Sequence, residues 1–151
     1  MIATNYFTKW IEAIPTRRAI DAVIMNFLEN NILARFGCPR RTVTDNVTYF
    51  KSKNMISFYH KYHISLNHSI AYYPQGNGLE KYSNKSLVRI IKKLLEENKR
   101  DWHTKLKYAL WDDKIITKRA IGMSPFQLVY KSEVIFPASL GVLVMKLLQE
   151  Q

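Results

Sequence analysis

Apolar residues recur along the chain in two periods. Residues 2–7 and 10–14 are short β-prone runs parted by Thr8 and Lys9, and Pro15 closes the second. Runs of this length bounded by turn residues read as neighbouring strands. Over residues 19–36 the apolar positions Ile20, Val23, Ile24, Phe27, Leu28, Ile32 and Leu33 recur at three and four, and Gly37 then Pro39 end the pattern. That spacing predicts a long amphipathic helix. A short strand over 41–44, a loop opening with "DNVTYF", a second helix over about 53–63 and a strand over 64–67 follow. The Pro74 to Gly78 loop leads into a third helix over 79–98, with an apolar seam of Leu87, Ile90, Ile91, Leu94 and Leu95 and a basic face of Lys85, Arg89, Lys92, Lys93 and Lys99. A fourth helix is predicted over 101–118, capped by Asp101 and anchored by Trp102, Leu106, Leu110 and Trp111. Ser124-Pro125 opens a further helical turn, since Ser caps and Pro is tolerated at the first helical position. Strands come first and then alternate with helices, which predicts an α/β layered domain.

Composition narrows this. A chain of 151 residues with 47% hydrophobic content can bury one substantial core, and no apolar run nears the roughly 18 residues of a membrane span. The expectation is one soluble domain over residues 1–136 with a C-terminal extension over 137–151. The N-terminus has no basic segment followed by an apolar core, so an intracellular chain is expected. One cysteine and four scattered histidines cannot build a disulfide framework or a compact zinc site.

Charge points to a partner. Lys and Arg number 23 against 12 Asp and Glu, a net +11 with a pI near 9.8. Such an excess favours polyanions, because neutralising phosphates releases counterions; the plainer alternative is a surface made soluble by its lysines. Lys85, Arg89 and Lys92 follow one another at three and four and could track a phosphate backbone, or form a solvated helix face.

Other candidates for chemistry have plainer readings. Asp45 ends a strand in "TVTDN", where a carboxylate can serve a ligand at the sheet edge or merely form an Asx turn. His60 and His63, three apart on a helix, read as surface or packed residues for want of a third ligand. Asp112 and Asp113 read as a solvated face or a charge pair with Lys, and Cys38 as a packed thiol.

Taken in order, "YFTKWIEAIP", "RFGCPRRTVTDN", "YYPQGNGL", "NKSL" and "GMSPFQLVY" closely resemble the integrase catalytic core of gypsy-type LTR retrotransposons, over almost the whole chain. The resemblance implies a ribonuclease H-like fold, a five-stranded mixed sheet flanked by helices, and membership of the superfamily of retroviral integrases. It implies an Asp, Asp, Glu triad holding two Mg²⁺ or Mn²⁺ ions for phosphodiester cleavage and strand transfer. It further implies a DNA partner, a possible homodimer and a nuclear location. The family's first Asp would lie upstream of Met1, so the chain reads as truncated there with its first strand missing; Asn5 stands where relatives often carry a further Asp that is not a metal ligand.

Asp45 matches the second position. For the third, the pattern P-Q-G-N-G-x-x-E-x-x-N laid on Pro74, Gln75, Gly76, Asn77, Gly78 and Asn84 puts Lys81 where the Glu belongs. Glu80 is one residue early, a rotation of roughly 100° on a helix, and makes a poor stand-in. The implied reading is an integrase core that has lost strand transfer and kept nucleic-acid binding. A protein-interaction or dimerisation module, or a non-functional element fragment, is the alternative.

Overall fold

The structure is a computed structural model of the chain, and it describes residues 1–44, 48–68, 85, 87–90, 92 and 102–135. The strands β1 (Ile2–Thr4) and β2 (Ile11–Ala13) pair as a hairpin. Met1 and Ile14 exchange hydrogen bonds at its base, 2.9 Å and 3.0 Å, and Asn5 N donates to Trp10 O at its tip, 2.9 Å. The strands are shorter than their apolar runs because Tyr6, Phe7 and Thr8 form the turn.

The first predicted helix forms in three segments: α1 (Asp21–Phe27), a π-helical stretch Leu28–Leu33, and α2 (Ala34–Phe36). Ile20 is extended and stands outside it, with Asp21 placing a carboxylate near the N-terminal end of the helix dipole. Gly37 ends it at φ 78°, a left-handed value that suits a residue without Cβ.

Strand β3 (Arg41–Thr44) pairs in parallel with β4 (Ser65–His68), in register from Arg41 with Ser65 to Thr44 with His68. A parallel pair needs a crossover. The chain supplies it as a 3₁₀ turn, Thr48–Lys51, and α3 (Lys53–Lys61), whose N-cap Ser52 accepts a hydrogen bond from Met55 N at 3.2 Å. The described residues thus supply four strands in two pairs.

The helices α4 (Trp102–Ile115) and α5 (Pro125–Tyr130) complete the described elements, together with helical residues 85, 87–90 and 92. Ser124 caps α5 in a reciprocal capping box with Gln127, and Pro125 takes the first position, as the sequence predicts.

Two compact units result, one drawn from residues 1–3 and 12–85, the other from 4–11 and 86–151. The core of the first is apolar: Ile24, Leu28, Met55, Phe58, Tyr59 and Ile64 are buried together. In the second, Trp10, Ile11, Leu87, Ile90, Leu106, Ala109 and Leu110 are buried, and so are Asp112 and Asp113.

Candidate functional site

β3 carries its backbone to Thr44, which is buried, and Asp45 is the next residue in the chain. In a parallel pair both C-terminal ends lie at one edge, and Thr44 opposite His68 marks it. Open α/β sheets hold ligands at such edges. Asp45 itself lies outside the described residues, as do Glu80 and Lys81.

The basic residues of the third predicted helix are described. Lys85, Arg89 and Lys92 are all helical and exposed, while Leu87 and Ile90 between them are buried. The amphipathic pattern therefore holds at these positions, while Val88 on the same helix is exposed. His60 and His63 are exposed, with ring centroids 6.4 Å apart, and among the described residues no three His, Cys, Asp or Glu side chains gather into a metal-binding group.

Two expectations fail, and of the two readings of Asp112 and Asp113 only the charge pair stands. Cys38 is exposed rather than packed, because Gly37 turns the chain out of the helix at a surface. Trp102 is 41% exposed at the first residue of α4 and does not anchor it; Leu106, Ala109 and Leu110 do. Asp112 and Asp113 are not a solvated face, being 5% and 0% exposed. The burial of Asp113 follows from spacing: Leu106, Ala109, Leu110 and Asp113 form one stripe at three and four, and Asp113 ends it. That signal is present in the sequence, but an acidic residue at an apolar position is easily set aside.

The expected charge pair does form. Lys118 Nζ donates to Asp113 Oδ1 at 2.5 Å, and the Lys118 side chain is itself largely buried. The turn over 118–123 holds it in place: Lys118 N donates to Met123 O at 3.0 Å, and Gly122 closes the turn at φ 69°. Asp112 Oδ2 is buried with no hydrogen-bond partner. Burial first, and the neighbouring Asp113 charge second, push the Asp112 carboxyl up to about 6. The cluster is an internal acid pair with its cation supplied by the chain.

No protein-family model matches the chain. Among curated proteins it is 31% identical over 130 residues to the Gag-Pol polyprotein of avian reticuloendotheliosis virus, covering 86% of this chain and 11% of the polyprotein. It is 28% identical over 131 residues to the Gag-Pol polyprotein of baboon endogenous virus (strain M7), covering 86% and 8%. The chain thus spans about a tenth of the length of these relatives. Among solved structures, a chain of the simian T-cell lymphotropic virus intasome in complex with PP2A regulatory subunit B56 gamma matches with a TM-score of 0.74 at 20% identity, over 90% of this chain and 49% of that one. The HTLV-2 integrase catalytic core domain in complex with magnesium, in its trimeric form, matches with a TM-score of 0.69 at 19% identity, over 83% and 80%.

The chain is a homologue of retroviral Gag-Pol with the fold of an integrase catalytic core. The fold is ribonuclease H-like, as the motif order implies. In an integrase-core fold the metal ions call for carboxylate oxygens. At the position that the motif register assigns to the Glu, this chain carries Lys81, whose ammonium has no lone pair to give and repels a dication.

Proposed function

We propose that the chain is the integrase core of a gypsy-type LTR retroelement, occupying residues 1–136 with 137–151 as an extension, in which strand transfer is lost and nucleic-acid binding is kept. The observation that carries the loss is Lys81 in the register set by Pro74, Gln75, Gly76, Asn77, Gly78 and Asn84. Two-metal phosphodiester chemistry needs charge of the opposite sign there.

Binding is supported by the net +11 and by exposed Lys85, Arg89 and Lys92 at helical spacing. Phosphate contacts of this kind position a protein on DNA without reading its sequence. The reading also makes the chain a nuclear, self-associating protein; its structural neighbours are an intasome chain and a trimeric form of a catalytic core.

Two measurements on the 151-residue chain test this. Incubated with Mg²⁺ or Mn²⁺ and a DNA duplex, it is expected to give no end processing and no joined product. Divalent-dependent joining that Asp45→Asn abolishes would overturn the loss. Duplex affinity is expected to fall steeply with salt, and replacing Lys85, Arg89 and Lys92 together with Gln to flatten the log–log slope by about two to three. An unchanged slope returns that helix face to plain solvation.

A further inference from the structure

The tip of the β1–β2 hairpin displays two aromatic rings that the integrase reading does not use. Tyr6 is 68% exposed and Phe7 79% exposed, and their rings meet edge to face with centroids 5.4 Å apart. Lys9 lies over the Tyr6 ring, its Nζ 4.7 Å from the centroid, and donates to Tyr6 O at 2.6 Å. Two further ammonium protons remain to meet an anion.

The tip is held in this form by its own backbone. Asn5 Oδ1 accepts from Phe7 N at 3.0 Å and from Thr8 N at 2.9 Å, and Lys9 N donates to Asn5 O at 3.0 Å. Lys9 takes the left-handed conformation, φ 59°, which folds its side chain back over Tyr6. The root is anchored in the same unit: Trp10 is buried, packs edge to face on Tyr130 at 5.7 Å, and lies under Lys114 at 4.5 Å. Rings so placed lose little freedom when something docks on them.

Apolar rings standing out in water beside a fixed cation, on a chain with a net charge of +11, match a ligand with flat apolar faces and a negative backbone. Two rings offer at most about 500 Å². A stable protein interface needs about 800 Å² from each side, whereas unpaired bases are of ring size. We propose that Tyr6, Phe7 and Lys9 form a stacking contact for the unpaired bases of single-stranded nucleic acid, with Lys9 meeting the adjoining phosphate. This rests on the nucleic-acid reading above, but uses a different surface and a different form of the ligand.

The test compares a labelled dT12 strand with a blunt duplex, by fluorescence anisotropy on the 151-residue chain. Replacing Tyr6 and Phe7 together with Ala is expected to weaken dT12 binding by about 10- to 100-fold and to leave duplex binding within about twofold. Phe7→Trp, which keeps a stacking face, is expected to retain dT12 binding and to show quenched indole fluorescence when the strand is added. That variant keeps the test valid if the double Ala variant does not fold. Unchanged dT12 affinity in a folded double Ala variant, or no quenching of Phe7→Trp, overturns the stacking contact. If duplex binding still depends on Lys85, Arg89 and Lys92 in that case, the proposed function survives without it. If the wild-type chain binds neither ligand, both fall. Loss of self-association on removing the rings, with dT12 binding intact, also overturns it and makes the tip a contact between copies.

Discussion

The apolar cluster of the first unit and the α4 interior of the second bury their side chains in opposite ways. In the first, Ile24, Leu28, Met55, Phe58, Tyr59 and Ile64 close around one another, and the polar atom they enclose is a hydroxyl. Tyr59 Oη has no partner there, and burial pushes its pKa up to about 12, so it stays neutral wherever the protein is handled. In the second, α4 turns Asp112 and Asp113 inward beside Leu106, Ala109 and Leu110, and Lys118 returns from the following turn to meet Asp113. A cluster of apolar side chains is indifferent to pH, whereas one that holds Asp112, Asp113 and Lys118 has a stability that depends on it.

The largest effect is expected from breaking the internal ion pair. Lys118→Met removes the ammonium that meets Asp113 Oδ1, and should destabilise the second unit by about 3–5 kcal/mol near neutral pH. The loss should shrink as the medium is acidified and the carboxylates take up protons. Urea unfolding of wild type and variant at pH 5 and pH 8 measures both; a loss equal at the two pH values would show that the pair does not govern this interior.

Met55→Ala provides the contrast in the first unit. Met55 is fully buried, and its truncation is expected to cost about 2–4 kcal/mol through lost transfer energy and the cavity left behind. The same urea experiment should return the same loss at pH 5 and pH 8, because the residues of that core cluster do not titrate between them. A pH-dependent loss would erase the distinction between the units.

Asp112→Asn is expected to have the smallest effect and the opposite sign. The Asp112 carboxyl has a raised pKa in the fold, so the folded state holds its proton more tightly than the unfolded chain does. Its stability cost is absent below the usual carboxylate value of 3.8, grows as pH rises through about 6, and is complete above that. Asn keeps the shape and removes the charge, so the variant should gain about 1–3 kcal/mol at pH 8 and nothing near pH 4. A loss at pH 8 would mean that the Asp112 charge is compensated in the fold.

Local patterns carried much of the fold into view. Strand β3 occupies the residues 41–44 predicted for it, and α3 and α4 fall within their predicted ranges. Ser124, Pro125 and Gln127 spell a helix start that needs only neighbouring residues to form, and it forms. The motif order was legible for the same reason, since each motif is a few consecutive residues. The assignment of Lys81 to the Glu position rests on register alone, counted from Pro74, Gly78 and Asn84.

The tertiary structure decided which polar and aromatic residues face inward. Trp10 and Phe7 are both aromatic and three residues apart, yet one is buried under Lys114 and Tyr130 while the other stands at a hairpin tip. Nothing local separates them, because the difference lies in what the neighbouring elements bring to each. Asp113 is buried for the complementary reason: the helix stripe aims it inward, and Lys118, five residues on, arrives only because Gly122 and Met123 close the turn behind it. Sequence by itself determines periodicity, caps and motif register, each a matter of a few consecutive residues. Burial is a property of surfaces that meet after folding, and for Tyr6, Phe7, Cys38 and Asp112 only the folded chain settles it.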